Sequence, residues 1–317
     1  MSPIVLTILQ VCMACALAPM TLGLVAFFKA RLLGRHGLPP WSPYFNYRTL
    51  LKKETLIPAS ASWLFVAAPI MVLLSSGFLV MVLPLLTTSG VFSSLSNFLV
   101  IAGVLALGSV FVVLSGLDTG NTYSGLGSSR HLVMVGLLEP TVILTFAALA
   151  LSTGSGEIVG MLEHAAVTGQ LIGTAPYLAL SLLALVLVSL AENSRYPISE
   201  PGAEATLAMG QEVTTFDYSG PLLAMLEYAA ALKLTVFALL VANFILPRPL
   251  LTDYAGVGDV MSVVLATVLK LILMMIALAI LESSTTKMRF YRVQEFLTGA
   301  FFMALCGLAL ALLMQRL

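Results

Sequence analysis

The chain has 317 residues, 59% of them hydrophobic and 9% charged, with a mean hydropathy of +1.03. A soluble domain carries about 25% charged residues, so this composition excludes a soluble globular protein and, with several apolar runs near 20 residues, requires a polytopic membrane protein. The runs lack the alternation of barrel strands, so the spans are helices, and zero formal net charge gives no footprint for nucleic acid.

In chain order, about eight spans are expected, at roughly residues 4–28, 62–86, 98–117, 132–151, 175–191, 221–246, 260–281 and 295–314, within one integral membrane domain over 1–317. Cys12, Cys15 and Cys306 all fall in apolar runs. No second pair completes four metal ligands, so packing as small hydrophobes is expected. The first connector, about 29–61, opens with Lys29, Arg31 and Arg35, which can snorkel from the end of the first span. Pro39, Pro40 and Pro43 then impose an extended path before a short amphipathic helix over 44–53. Trp41, Tyr44, Phe45 and Tyr47 suit the headgroup layer.

The third connector, about 118–131, carries Gly116, Gly120, Gly125 and Gly127 around Asp118 and Asn121 and reads as a turn-rich loop. Glu139 follows inside the fourth span, directly before Pro140, where a kink is expected. The stretches 152–174 and 247–259 read as solvated loops on the opposite side. His36, His131 and His164 lie in or beside loops, where a solvated imidazole is expected.

Basic residues set the orientation. Lys29, Arg31, Arg35, Arg48, Lys52, Lys53, Arg130, Arg195, Lys287, Arg289 and Arg292 fall in odd connectors, against Arg248 and Arg316 elsewhere outside the spans. The odd connectors, including 192–220 and 282–294, are therefore expected in the cytoplasm and both termini outside.

The fifth connector departs most from its surroundings. It follows an uncharged run, yet holds Glu192, Arg195, Glu200, Glu204, Glu212 and Asp217, punctuated by Pro197, Pro201 and Gly210. Glu139, Glu227, Lys233 and Lys270 lie inside apolar spans, with Glu192 and Glu282 at helix ends. A charge at a bilayer centre costs roughly 2.5–3.5 kcal/mol on insertion scales, so these residues are expected to face the bundle interior and pair or relay protons.

The acidic connector resembles a known family. Ala191, Glu192, Arg195, Pro197, Pro201, Ala203, Glu204 and Leu207, then Asp217-Tyr218-Ser219-Gly220 and Glu227-Tyr228-Ala229, match the pattern of the H subunit of respiratory complex I. That membrane protein joins a proton-pumping arm to a soluble redox arm. SGLDTGNTYSGLGSSR, PPWSPYFNYRTLLKKE and ESSTTKMRF look closer to one branch, the membrane subunits of group 4 nickel–iron hydrogenases, which includes formate hydrogenlyase subunit 4 and hydrogenase-4 component C. Ser199, Gly202 and Thr206 stand where the complex I pattern has acids.

The resemblance implies an all-α fold like that of the complex I protein, with about eight transmembrane helices, in a bacterial or archaeal cytoplasmic (inner) membrane. The implied role is to anchor the soluble arm of an energy-converting hydrogenase or formate hydrogenlyase-like complex and to couple its redox chemistry to ion movement. No cofactor is expected in this chain, the nickel–iron centre and iron–sulfur clusters belonging to partners. Those partners would be hydrogenase-like large and small subunits, a ferredoxin-like subunit and antiporter-like membrane subunits. Glu139, Glu192, Glu204, Glu227, Lys233, Lys270 and Glu282 are the candidate coupling residues. Arg35, Tyr44, Arg48, Asp118, Arg130, Arg195, Glu200, Glu212 and Asp217 are the candidate partner interface. A quinone-binding module of a complex I relative and a stand-alone secondary transporter are the alternatives. The absence of a convincing internal repeat counts against the transporter.

Overall fold

The computed structural model describes residues 3–168, 176–195, 197–198, 217–247, 250–251, 257–285, 288 and 290–316. Among them run ten α-helices: α1 (Pro3–Leu32), α2 (Ser42–Leu50), α3 (Trp63–Val82), α4 (Phe98–Asp118), α5 (Thr122–Thr153), α6 (Ile158–Thr168), α7 (Pro176–Glu192), α8 (Gly220–Ile245), α9 (Val257–Ser284) and α10 (Phe290–Arg316). Seven of these, α1, α3, α4, α5, α8, α9 and α10, are long and apolar enough to cross a membrane, and α7 is a shorter apolar helix. The chain is a multi-pass, all-α membrane protein.

Helix α8 is the centre of the bundle. Every residue from Leu234 to Phe244 is buried, and the helix packs on α1, α3, α7 and α9. The outer helices turn apolar faces away from the bundle, as Met261, Leu265 and Leu269 do along α9. Cys12 and Cys306 are likewise exposed and Cys15 is half-buried, so the expected core packing of the cysteines is corrected. An apolar run in a membrane protein serves lipid-facing positions as well as core ones.

Prolines interrupt α1, α3 and α5 at Pro19, Pro69 and Pro140. Each lacks an N–H and so frees the carbonyl four residues earlier. In water the solvent satisfies such a carbonyl, whereas in a membrane the protein must. Tyr228 of α8 donates to Cys15 O, the carbonyl freed by Pro19, at 2.9 Å. Tyr218 donates to Phe65 O, freed by Pro69, at 3.0 Å, and its ring stacks on Phe65 at 4.1 Å. Burial pushes the Tyr218 phenol up to about 12, with a Ser115 hydrogen bond opposing and Asp118 and Asp217 adding, so it stays a donor.

Glycines allow two close approaches that press the first connector onto the bundle. A Cβ on Gly23 would overlap Pro40 O, and one on Gly220 would meet Glu54 O at 2.7 Å. Gly220 also has φ +58, where an L side chain is strained.

Three expectations are corrected. The third connector is helical from Thr122, because Asn121 caps α5 by accepting from Tyr123 N after a left-handed turn at Gly120. The stretch after α5 is not all a solvated loop: α6 buries Ile158, Met161, Leu162 and Ala165 completely. The second span ends at Val82, since Pro84 forces Leu83 into extended backbone.

Tyr228→Phe is expected to lower stability by about 1–3 kcal/mol by orphaning a buried carbonyl. With Pro19→Ala the residue-19 N–H returns to Cys15 O, so Tyr228→Phe should then cost markedly less. Melting temperatures of the four proteins of this cycle, at one scan rate in detergent, check it; additive shifts would refute the pairing.

Candidate functional site

The charged residues gather at the end of the bundle that carries α2. Helix α7 closes with two bonds, Ser194 N to Ala191 O at 3.1 Å and Arg195 N to Leu190 O at 2.9 Å. Ser194 adopts φ 48 between them. This is a Schellman cap with serine in the position usually given to glycine. It turns Arg195 back toward the bundle, where Nη1 lies 3.2 Å from Glu282 Oε1 at the end of α9. Lys29 Nζ from the end of α1 lies 3.5 Å from the other Glu282 oxygen. Lys233, from α8, is ion-paired with Glu192, the last residue of α7. Glu192, Arg195 and Glu282 are only 6%, 6% and 4% exposed.

Five charges from four helices and one helix cap thus form three ion pairs around two buried carboxylates, Glu282 being shared by two cations. Three cations face two carboxylates. Glu139, half-buried on α5, lies within electrostatic reach of Glu192. Such a set can exchange protons by breaking one pair and making another, since every acid has a cation beside it to hold its charge.

A second cluster joins α2 to the bundle. Asn46 Nδ2 donates to Glu227 Oε2 at 3.3 Å, and Tyr47 OH to the Glu227 carbonyl at 3.4 Å. Tyr44 OH donates to Ala16 O, and Tyr47 meets Tyr228 edge to face at 5.8 Å. Burial raises the Tyr47 phenol, the Glu227 charge adds to this, and Arg195 opposes it. Tyr47 thus sits electrically between Glu227 and the Arg195–Glu282 pair.

Lys270 stands apart, toward the opposite end. It is 6% exposed and donates to Asn243 Oδ1 at 3.0 Å. Asn243 Nδ2 in turn donates to Pro84 O and Leu85 O, both at 3.2 Å. Gln10 donates to Val80 O and Leu83 O, both at 2.8 Å, and accepts from Leu86 N at 3.1 Å. These side chains satisfy the unwound backbone after α3, as non-helical backbone within a membrane protein requires.

The candidate coupling residues are therefore split. Glu192, Lys233, Glu282 and Glu139 come together, Glu227 lies at the α2 cluster, and Lys270 is separate. Arg195, expected at the partner interface, is buried on Glu282. Asp118 accepts from Ser62 N at 2.7 Å and Asp217 from Asn121 Nδ2 at 2.9 Å, so both tie connectors of this chain together. Arg35 and Arg48 are exposed, Tyr44 is largely so, and Arg130 is half-buried. Glu200, Glu204 and Glu212, with Ser199, Gly202 and Thr206, lie outside the described residues.

Sequence reasoning missed Lys29, Asn46, Tyr47 and Asn243. Of these, Asn46 and Tyr47 carried a signal as members of the segment PPWSPYFNYRTLLKKE, as Tyr218 and Tyr228 did in the DYSG and EYA segments. His131, expected in solvent, is 9% exposed inside the bundle, because α5 begins nine residues before it. Among the described residues no group of His, Cys, Asp or Glu is arranged to hold a metal.

The chain is similar to known proteins over nearly its whole length. The family described as NADH dehydrogenase matches residues 2–314. Hydrogenase-4 component C of Escherichia coli K12 is 29% identical over 292 residues, covering 92% of this chain and 90% of that one. Formate hydrogenlyase subunit 4 of the same strain is 25% identical over 285 residues, covering 89% and 90%. The H subunit of NADH-quinone oxidoreductase from Burkholderia vietnamiensis is 25% identical over 216 residues, covering 64% and 59%. A chain of the archaeal membrane-bound sulfane sulfur reductase, a respiratory membrane complex, shares the fold with a TM-score of 0.82 at 17% identity, covering 96% and 98%.

Removing one partner of a buried ion pair costs about 3–5 kcal/mol, because the other charge is stranded. Glu282→Gln strands Arg195 and is expected to lose most of the folded protein from the membrane. Glu282→Gln with Arg195→Leu should recover part of it. Detergent-extracted, monodisperse protein measured by fluorescence size exclusion checks this; equal yields for both variants would count against the pair.

Proposed function

The chain belongs to the NADH dehydrogenase family, and we propose that it is the membrane-anchoring and ion-coupling subunit of an energy-converting group 4 nickel–iron hydrogenase or formate hydrogenlyase-like complex. Its likeness to hydrogenase-4 component C and formate hydrogenlyase subunit 4 over about nine tenths of both partners supports the branch. The observation that carries the coupling role is the network of Lys29, Glu192, Arg195, Lys233 and Glu282, in which Glu192, Arg195 and Glu282 are buried. A purely structural anchor has no need of three charges taken out of water, each costing several kcal/mol before pairing.

In this reading the α2 end faces the cytoplasm and docks a soluble arm of hydrogenase-like large and small subunits and a ferredoxin-like iron–sulfur subunit. The outer apolar faces meet antiporter-like membrane subunits and lipid. The nickel–iron centre and clusters reside in those partners. A redox event next to α2 shifts charge near Tyr47 and Glu227. Arg195 transmits the shift to Glu282 and the rest of the network, and an ion moves when a pair exchanges.

Mild-detergent affinity purification of the tagged chain is expected to recover a nickel- and iron-containing large subunit with ferredoxin-like and antiporter-like subunits, by mass spectrometry and metal analysis. Recovery of the chain alone would overturn the reading. Within the recovered complex, Glu227→Gln should leave assembly and electron transfer intact while reducing ion movement into sealed vesicles; undiminished transport would remove Glu227 from the coupling path.

A further inference from the structure

Three buried polar atoms on α5 have no hydrogen-bond partner among the described residues: Ser124 Oγ, Ser128 Oγ and His131 Nε2. The residues are 1%, 0% and 9% exposed. Their spacing of four and three residues puts them on one helix face, over about 10 Å of axis. The column starts in the first turn of α5, at the α2 end, and runs inward.

Serines elsewhere in these helices behave differently. Ser75, Ser76, Ser115, Ser129, Ser152 and Ser189 each donate to the carbonyl three residues back, at 2.7–2.9 Å. Ser129, immediately next to Ser128, is exposed and still bonds its own helix. The buried serines instead leave their hydroxyls open. A buried polar group left without a partner carries a desolvation penalty that a bound water would relieve. Neighbouring side chains at such spacing have Cβ atoms about 5–6 Å apart, too far for direct bonds and suited to a bridging water.

At its inner end the column meets charge. His131 is within electrostatic reach of Lys233 on α8, which is ion-paired with Glu192. Asn193, beside Glu192, also leaves its buried Oδ1 unpartnered, although its Nδ2 donates to Ser189 O at 2.7 Å.

We propose that this face of α5 holds a chain of ordered waters that conducts protons from the α2 end to the Glu192–Lys233 pair. The proposal rests on the ion-coupling reading and names its proton supply. Each water or hydroxyl accepts one proton as it gives up another, so no member of the column keeps a charge. One proton leaves the solvent at Ser124 and one arrives on the Glu192 carboxylate. Glu192 becomes a neutral acid and releases Lys233.

The test uses the assembled complex in its membrane, with Cys12, Cys15 and Cys306 replaced by alanine and single cysteines introduced. A small water-soluble methanethiosulfonate reagent reacts with the thiolate, which forms only where water reaches it. Ser124→Cys and Ser128→Cys should label about ten-fold faster than Val112→Cys, a control comparably buried and one and a half turns from the same end of α4. Equal rates would overturn the hydrated column. Ser128→Ala, which removes the hydroxyl from the column with little change in volume, should cut proton transport by about ten-fold while the complex still assembles. Fast labelling with undiminished transport would overturn the conducting role. A parent complex that moves no protons would sink the coupling reading and the conduction with it, and the labelling would still decide whether the face is wet.

Discussion

The arrangement of this bundle depends on where Glu282 can put its charge. A carboxylate at 4% exposure is tolerable only with cations against it, and it has two, both from earlier in the sequence. Lys29 brings the end of α1, and Arg195 brings the cap of α7. The pairing therefore fixes three helix ends at one level. The strained Ser194 turn is the local cost of aiming Arg195 inward. Because the acidic connector begins at that turn, its first residues are anchored in the core.

The same logic of satisfying polar groups without water explains the proline sites. Helices α1 and α3 each lose a backbone bond within the bundle, and α8 or the residues leading into it supply the missing donor through Tyr228 and Tyr218. Those tyrosines flank Glu227 and follow the acidic connector, so the segment holding the candidate coupling acids also holds two interrupted helices together. A shift of α8 strains α1 and α3 through bonds that have no solvent substitute. Interrupted helices and coupling acids are thereby mechanically one unit.

Much of the architecture was legible in the sequence because lipid imposes a simple rule: long uncharged runs become helices. The eight apolar runs and the short amphipathic helix around Tyr44–Leu50 follow from that rule. What escaped were features decided by tertiary context. Helix α6 is too short to read as a span and buries its apolar side against neighbours that the local pattern does not name. The polar loop-like composition of 118–131 concealed a helix, because Asn121 supplies a cap and the serines turn inward rather than breaking the turn. Of the site, the acids and lysines inside apolar runs were legible as costly charges needing partners. The partners were not. Glu282 lies 87 residues from Arg195, and no periodicity records such a separation.

Under the proposed coupling role, a redox event beside α2 would be felt at charges on helices far from it in the sequence. Five paired charges at one level form a set with several pairings of similar energy, since each acid has a cation in reach and the cations outnumber the acids. Protonating Glu192 frees Lys233 to seek another anion, and the half-buried Glu139 lies within electrostatic reach of that pair. Moving charge toward Tyr47 changes the field at Arg195 and hence the hold on Glu282. On that reading, proton position and charge beside α2 are two views of one equilibrium. Each biases the other by the same free energy, as linkage requires. A protein built this way needs no moving part larger than a side chain to couple the two, provided that water reaches the network from one side only at a time.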